Sequence, residues 1–173
     1  MKAIKKSTTL FIFLLLIFRV SENLFSQTKI RIGTYDSRII AVAYYNSKHF
    51  AGFPEQSEKM KIAKKNDTTE MANINKELGL RQRMMHEQGF GKGTVCYFMD
   101  EIKDKLSEFA KNEKLNFIVS KWELNYYSTD AEIVDVTEKV ANLFEPKKSM
   151  KEMISDMQSN APVPIKDAFL IED

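Results

Sequence analysis

The amino-acid sequence predicts an α+β fold in which a long, interrupted helical hairpin is attached to a small β-sheet body. Residues 30–35 alternate apolar and polar side chains, which is the pattern of a short strand. Residues 55–88 are mostly polar or charged, with only a weak apolar stripe at helical spacing. Apolar segments of strand length return at residues 117–119 and 124–127, and they are near enough in sequence to pair as a β-hairpin around Lys121-Trp122. A helical region enclosed by strands therefore favours a sheet body with a helical hairpin.

The first 26 residues have the features of a secretory signal peptide. Three lysines precede an unbroken apolar run at residues 10–18, and Ser26 is a small residue of the kind found before a cleavage site. The apolar run is about half as long as the roughly 20 residues that cross a bilayer. We therefore expect cleavage near Ser26 and a periplasmic or secreted protein, with a retained membrane anchor as the alternative.

The charge balance of the mature chain argues against nucleic acid as a partner. The whole chain has 26 basic and 24 acidic residues. Residues 1–26 hold four of the basic residues and one acidic residue, so 22 basic and 23 acidic residues remain after cleavage. A nucleic-acid-binding domain shows a clear excess of positive charge. Nucleic acid is therefore not expected among the partners.

After the first strand, the sequence predicts a capped helix and then an interrupted helical region. Asp36 or Ser37 is suited to cap a helix whose apolar side chains include Ile39 and Ile40. Glycine and proline at residues 52–54 interrupt this helix. The lysine- and glutamate-rich segment that follows is the first half of the predicted hairpin.

Residues 89–94, GFGKGT, look like a phosphate-binding loop but do not have its spacing. A Walker-type loop needs four residues between its first glycine and Gly-Lys-Ser/Thr, and such loops follow a buried strand. Here Lys92 is followed by Gly93, and the preceding residues are polar and helical. Gly89 is instead suited to end one helix, and Thr94 to begin the next. The segment is therefore predicted to be a break between two helices.

The most regular helical signal follows this break. Apolar side chains recur at helical spacing over residues 95–109, opposite a charged face, so we expect one helix that packs on the sheet. Thr137 is suited to cap a last short helix, which Pro146 ends. Residues 147–173 contain one amphipathic turn and are predicted to form a C-terminal tail. The apolar residues of the stripe are Val95, Phe98, Met99, Ile102, Leu106 and Phe109.

Two blocks of the sequence resemble the Skp/OmpH family of periplasmic chaperones. The first, KIRIGTYDSRII at residues 29–40, is similar to that family's first strand, which runs through an aspartate into a helix. The second, residues 116–144, has a hydrophobic strand, tyrosines near a second strand's end and Asp-Val-Thr before a short apolar helix. The resemblance assigns residues 27–146 to one Skp/OmpH-like domain. It implies a β body that trimerises and helical arms that grip unfolded outer-membrane proteins.

The main hypothesis is therefore a periplasmic holdase or binding scaffold without catalytic activity. Its helical arms would shield unfolded or outer-membrane proteins, in a homo-oligomer that is a trimer by resemblance. Methionine suits such promiscuous contact because its side chain is flexible and polarizable. No cofactor is expected, and no catalytic or metal-binding residue, since the two histidines have no partner at metal-ligand spacing. The candidate client-contact residues are Met60, Met71, Met84 and Met85.

The alternative hypothesis is a secreted small-ligand-binding or enzyme-like domain. Asp36 and Arg38 follow the first strand, and ligands bind beyond the carboxyl ends of strands in open α/β sheets. With His86, they would line a pocket where this strand meets the returning helix. The purely structural interpretation is that Asp36 caps a helix, Arg38 forms a surface ion pair and the aromatic residues between 122 and 127 cover a sheet face. Convergence of the three side chains in a compact monomer would favour the alternative.

We predict that the exported protein begins near Gln27. Cleavage after Ser26 would remove both the basic segment and the apolar run of the signal. The intact mass of the exported form should therefore equal that of residues 27–173. Recovery of the full-length chain from the membrane fraction would instead support a retained anchor.

Overall fold

The structure, a computed structural model, describes residues 29–63, 68–147 and 150–171. The predicted signal peptide, residues 1–26, lies outside these ranges. None of the helices within the described ranges combines the length and the apolar character that a bilayer crossing requires. The chain from Arg31 onward forms one unit, built around a small sheet.

Three parallel strands form this sheet. They are β1 (Arg31–Tyr35), β2 (Phe117–Ser120) and β3 (Glu132–Asp135), in the order β2-β1-β3. The central strand has a glycine where its neighbours approach most closely. A Cβ at Gly33 would lie 2.9 Å from Leu115 Cδ1 and 3.1 Å from Val136 Cγ2. Apolar side chains from before β2 and after β3 therefore pack directly on the backbone of β1.

The structure confirms the first two predicted strands and corrects the third. The prediction of a strand at residues 124–127, paired as a hairpin with β2, is wrong. These residues belong to the loop at residues 121–131, in which Tyr126 is exposed. β1 lies between β2 and β3, and both run parallel to it. The chain between β2 and β3 therefore crosses over β1, because parallel strands cannot be joined by a tight hairpin turn.

Eight helices lie within the described residues. In chain order they are α1 (Ser37–Tyr45), α2 (Pro54–Ile62), α3 (Thr68–Phe90), α4 (Cys96–Asp100), α5 (Lys103–Asn112), α6 (Thr137–Leu143), α7 (Lys151–Ser159) and α8 (Ile165–Ala168). Helices mixed with a small sheet place the protein in the α+β class, as predicted. α2 packs against α3, and α3 also packs against α1. One side of α3 therefore lies against the body of the protein.

The buried core is centred on α1 and α6. Asp36 caps α1 with its side chain, as predicted, and fixes where the helix leaves the strand. Ile39 and Ile40 of α1 are fully buried. Val140 and Phe144, at the opposite side of the same cluster, are also fully buried. Each such side chain stabilises the fold by about 1.5–3 kcal/mol relative to an exposed position.

The apolar stripe at residues 95–109 forms two short helices, α4 and α5, and the prediction of one helix is wrong. Ile102 lies at the break between them and is buried. Phe98 is also buried, and its ring stacks on that of Tyr44 with centroids 4.0 Å apart. Phe109 is only half-buried. The first half of the stripe is therefore core, whereas the second half lies nearer to solvent.

The GFGKGT segment breaks the helical region, as predicted. α3 ends at Phe90, so Gly89 lies in the last turn of the helix and does not follow it. The backbone N–H groups of Gly91 and Gly93 donate to the carbonyl oxygen of Glu87 at 3.0 and 3.2 Å. A Cβ at Gly91 would lie 2.7 Å from that oxygen. The loop therefore uses glycine to close around the end of its own helix.

The predicted capping of the last core helix by Thr137 is wrong. Val136 occupies the N-cap position of α6 and makes no side-chain cap. The hydroxyl of Thr137 instead accepts a hydrogen bond from the backbone N–H of Asp36 at 3.0 Å. A buried backbone N–H needs a partner. The hydroxyl is therefore used to join α6 to the end of β1.

The C-terminal region, predicted as the tail at residues 147–173, packs on the body over its described part. Met150 and Ile154, at the amphipathic turn, are buried and belong to the main core cluster. Ala168 of α8 is fully buried, and α8 packs against α3. Apolar residues at helical spacing give α7 an apolar face. Packing on the body of the protein buries this face.

We predict that Phe98→Ala costs about 3–5 kcal/mol of unfolding free energy, because a buried aromatic ring is removed from the core. The matched variant Phe109→Ala, in the half-buried part of the same stripe, should cost clearly less. Denaturant unfolding of both variants measures the difference. A larger loss for Phe109→Ala would contradict the placement of the core at α4.

Candidate functional site

A buried carboxylate lies at the carboxyl end of β1. Asp36 is fully buried, and the guanidinium of Arg38 binds it in a bidentate manner, with Nε–Oδ1 at 3.0 Å and Nη2–Oδ2 at 2.7 Å. Lys121 Nζ lies 2.8 Å from Oδ2. The indole N–H of Trp122 donates to Oδ1 at 3.4 Å. We refer to these four residues as the Asp36 cluster.

The parallel sheet explains why these residues meet. Asp36 directly follows β1, while Lys121 and Trp122 directly follow β2. Adjacent parallel strands end at the same edge of a sheet, so residues that follow them come together. Thr137, which follows β3, reaches the same edge through its bond to the backbone of Asp36. Residues that follow all three strands therefore meet at this edge of the sheet.

Three cations surround the ring of Trp122. Lys121 Nζ lies 4.5 Å from the ring centroid, Lys92 Nζ 5.2 Å and Arg38 Cζ 5.5 Å. Cations within about 6 Å of an aromatic ring are attracted by its electron-rich face. Lys92 comes from the GFGKGT loop, so the loop contributes a charge to the cluster. The ring of Trp122 therefore links the loop after α3 to the edge of the sheet.

The cluster keeps its carboxylate ionised. Burial would raise the pKa of Asp36, but hydrogen bonds from Arg38 and Lys121 outweigh this effect, and the pKa lies below its usual value. Burial, with a smaller contribution from Glu123, raises the pKa of neighbouring Tyr35 to about 12. A fully paired carboxylate and a protonated phenol are poorly suited to proton transfer near pH 7. The cluster has the properties of a structural ion network.

The structure brings together only two of the three residues of the alternative site. Asp36 and Arg38 are paired, but Arg38 is buried, so its predicted surface ion pair is wrong. His86 is buried on α3 and lines a depression beside Phe169 and Leu170. Arg38 instead borders a cleft of about 360 Å³ with largely apolar walls between α1 and α7. The structure therefore places Arg38 and His86 at different depressions.

Sequence analysis missed Lys121 and Trp122. The interpretation of Trp122 as part of a sheet face is wrong, because its indole group contacts Asp36 and Arg38. One signal was present in the sequence, since both residues directly follow the second buried strand, as Asp36 follows the first. Their meeting depends on parallel pairing of β1 with β2, which a local sequence pattern does not reveal.

The second feature is an apolar groove of about 510 Å³ along α3. Of the four predicted client-contact methionines, Met84 lines this groove and Met60 is exposed on α2. Met71 and Met85 are half-buried. Charged groups also border the groove, which we call the α3 groove. Its main lining residues are Leu80, Arg83, Met84, Tyr97, Ile165 and Phe169.

No known protein family, no curated protein and no solved structure matches this chain. Within the described ranges, no group of three His, Cys, Asp or Glu side chains is placed to hold a metal ion. The Asp36 cluster and the α3 groove are two features of the described residues that differ in character. The first is buried and internally paired, whereas the second is apolar and open to solvent.

We predict that Asp36→Asn lowers the free energy of unfolding by about 3–5 kcal/mol at neutral pH, because it leaves the buried guanidinium of Arg38 without its carboxylate. The depressed pKa of folded Asp36 contributes stability above the unfolded value of about 3.9, and this contribution is lost as the pH falls through the folded pKa. The stability difference between the parent and Asp36→Asn should therefore shrink only below about pH 4.

The control is Asp100→Asn, at an exposed aspartate of α4. It should change stability by no more than about 0.5 kcal/mol at any pH. Denaturant unfolding from pH 2 to 8 measures all three proteins. Equal stability of Asp36→Asn and the parent at pH 7 would contradict the structural role of the cluster.

Proposed function

We propose that this protein is a non-catalytic, chaperone-like holdase or binding scaffold of the periplasm, which shields unfolded or outer-membrane proteins. The observation that supports this function is the α3 groove. Leu80, Met84 and Tyr97 line it with 56%, 50% and 74% of their surface exposed. Contiguous exposed apolar surface in an open groove is typical of a polypeptide-binding site.

The chemistry of the groove suits clients of many sequences. Met84 can adjust its shape to different apolar side chains, since a thioether side chain has several rotatable bonds. Arg83 and Glu87 also line the groove and offer one charge of each sign. Burial raises the pKa of Glu87. A client would therefore be held mainly by apolar burial, worth about 25 cal/mol per Å².

The proposal assigns α2 and α3 to the helical hairpin of a Skp/OmpH-like arm. The two helices pack against each other, and the α3 groove lies along the second of them. In this arrangement, Met60 on α2 and Met84 on α3 would both contact clients. Because α3 also packs on α1, the arm would be short and supported by the body.

The sheet supports the proposal of a homo-oligomer, with three copies by resemblance. Phe117 and Ile133 lie on either side of Ile32 in the strand register. Register partners on neighbouring strands point to the same face of a sheet. Phe117 is 62% exposed, and Ile133 is also exposed. The same three register partners on other copies of the chain would cover this apolar face. The α3 grooves of several copies would then surround one client.

The alternative of a small-ligand-binding or enzyme-like domain has less support. It needs a polar group that can reach a ligand in the cleft beside Arg38. The guanidinium of Arg38 already bonds the carboxylate of Asp36 and the carbonyl oxygens of Met157 and Asn160. His86 lines another depression. The proposal therefore assigns the binding function to the α3 groove.

We predict that Met84→Glu weakens client binding about fivefold or more. A client that buries the exposed half of Met84 gains about 1 kcal/mol, and a glutamate would have to be desolvated there. The test dilutes a urea-denatured outer-membrane β-barrel protein into buffer with residues 27–173 and measures aggregation by light scattering. The parent should suppress aggregation, and Met84→Glu should require a higher concentration for the same effect.

Ser107→Glu is the matched charge control, because Ser107 is exposed on α5 and does not line the groove. Both substitutions should leave the melting temperature nearly unchanged, since Met84 is half exposed and Ser107 is exposed. The holdase proposal fails if the parent does not suppress aggregation. The assignment to the α3 groove fails if Met84→Glu and Ser107→Glu act alike.

A further inference from the structure

The C-terminal segment at residues 161–171, which we call the strap, lies on the side of α3 that also forms the α3 groove. The backbone N–H of Val163 donates to the carbonyl oxygen of Phe90 at 2.9 Å, at the end of α3. Ala168 is fully buried where α8 packs against α3. The strap therefore covers part of the helix that the proposed function assigns to clients.

Grooves lie on both sides of the strap. Ile165 and Phe169 of the strap form one wall of the α3 groove. Phe169 and Leu170 form a wall of a second groove of about 460 Å³, which also includes Gly79 of α3. Arg83 and Phe169 line both grooves. Removal of the strap would therefore join the apolar α3 groove to the second, more polar groove in one longer surface along α3.

The strap has the chemistry of a client segment. Its sequence, APVPIKDAFLI, is rich in apolar residues and contains one residue of each charge. It is nevertheless poorly buried, since Leu170 is 76% exposed and Ile165 and Phe169 are also exposed. Few apolar contacts of its large side chains therefore hold the strap on α3. A longer client segment that also covered Leu80 and Tyr97 would bury more apolar surface than the strap does.

The connection to the body keeps the strap close to α3 even when it is undocked. The guanidinium of Arg38 donates to the carbonyl oxygens of Met157 and Asn160, directly before the strap, and is itself fixed by Asp36. Asn160 therefore anchors the N-terminal end of the strap to the body of the protein. A tethered segment has a high effective concentration at its site, so modest contacts are enough to keep it docked.

We propose that the strap is an autoinhibitory occupant of the client-binding face of α3, which clients displace when they bind. This inference rests on the proposed holdase function and adds a regulation to it. The docked strap limits binding by weak apolar segments, because only the undocked fraction of molecules offers the full surface of α3. Segments with extensive apolar surface outcompete it.

The test uses residues 27–173 and, as a probe, fluorescently labelled lactalbumin that is kept unfolded by reduction and carboxymethylation. Ala168→Asp places a charge in the buried contact and releases the strap. Lys166→Gln is the matched control, because it changes the net charge by the same amount in the same segment, at an exposed position that lines neither groove. Fluorescence anisotropy measures the Kd for the probe. If the strap is docked in nine molecules of ten, Ala168→Asp should bind about tenfold more tightly than the parent and the control.

A second measurement needs no substitution. Hydrogen exchange of the parent, followed by mass spectrometry, should become faster in residues 161–171 when the unlabelled probe is added. Slower exchange there, or a higher Kd for Ala168→Asp, would show that the strap is part of the client site and would overturn the proposal. Equal Kd values for the parent and both variants would overturn the strap alone and leave the holdase function standing. Absence of probe binding in all three proteins would overturn the holdase function, and the strap proposal with it.

Discussion

The fold depends on one buried carboxylate. Asp36 ends the central strand, caps α1, and binds the guanidinium of Arg38 and the ammonium group of Lys121. Its backbone N–H is bound by Thr137 at the start of α6. Through Arg38, the same carboxylate also fixes the end of α7. A single residue therefore connects β1, β2 and three helices, and an ionised side chain at such a position must be fully paired.

This constraint separates the structural part of the molecule from the part that can bind other molecules. The charges that follow the parallel strands, where ligands bind in many sheets, are used by the fold itself. The GFGKGT loop behaves in the same way, because its N–H groups close around the carbonyl of Glu87 and Lys92 lies over Trp122. Exposed apolar surface along α3 is open to a partner, and the proposed function uses this surface.

The sequence by itself determined the local elements. Alternation at residues 30–35 predicted β1, an apolar triplet predicted β2, and Asp36 predicted the start of α1. The spacing of GFGKGT excluded a Walker-type loop and predicted a helix break, which the structure has between α3 and α4. These features depend on residues within a few positions of one another, so periodicity, glycine placement and capping chemistry are sufficient to reveal them.

Only the tertiary structure decided which elements meet. The sequence pattern predicted the third strand at residues 124–127, whereas the structure has it at Glu132–Asp135. A local pattern does not show which segments pair in a sheet. Arg38 is buried because α7 and Asp36 supply partners from different parts of the chain. Lys121 and Trp122 lie in the site because β2 pairs parallel to β1. Such contacts link residues up to 122 positions apart, and their energies depend on a shared buried environment that short-range patterns do not encode.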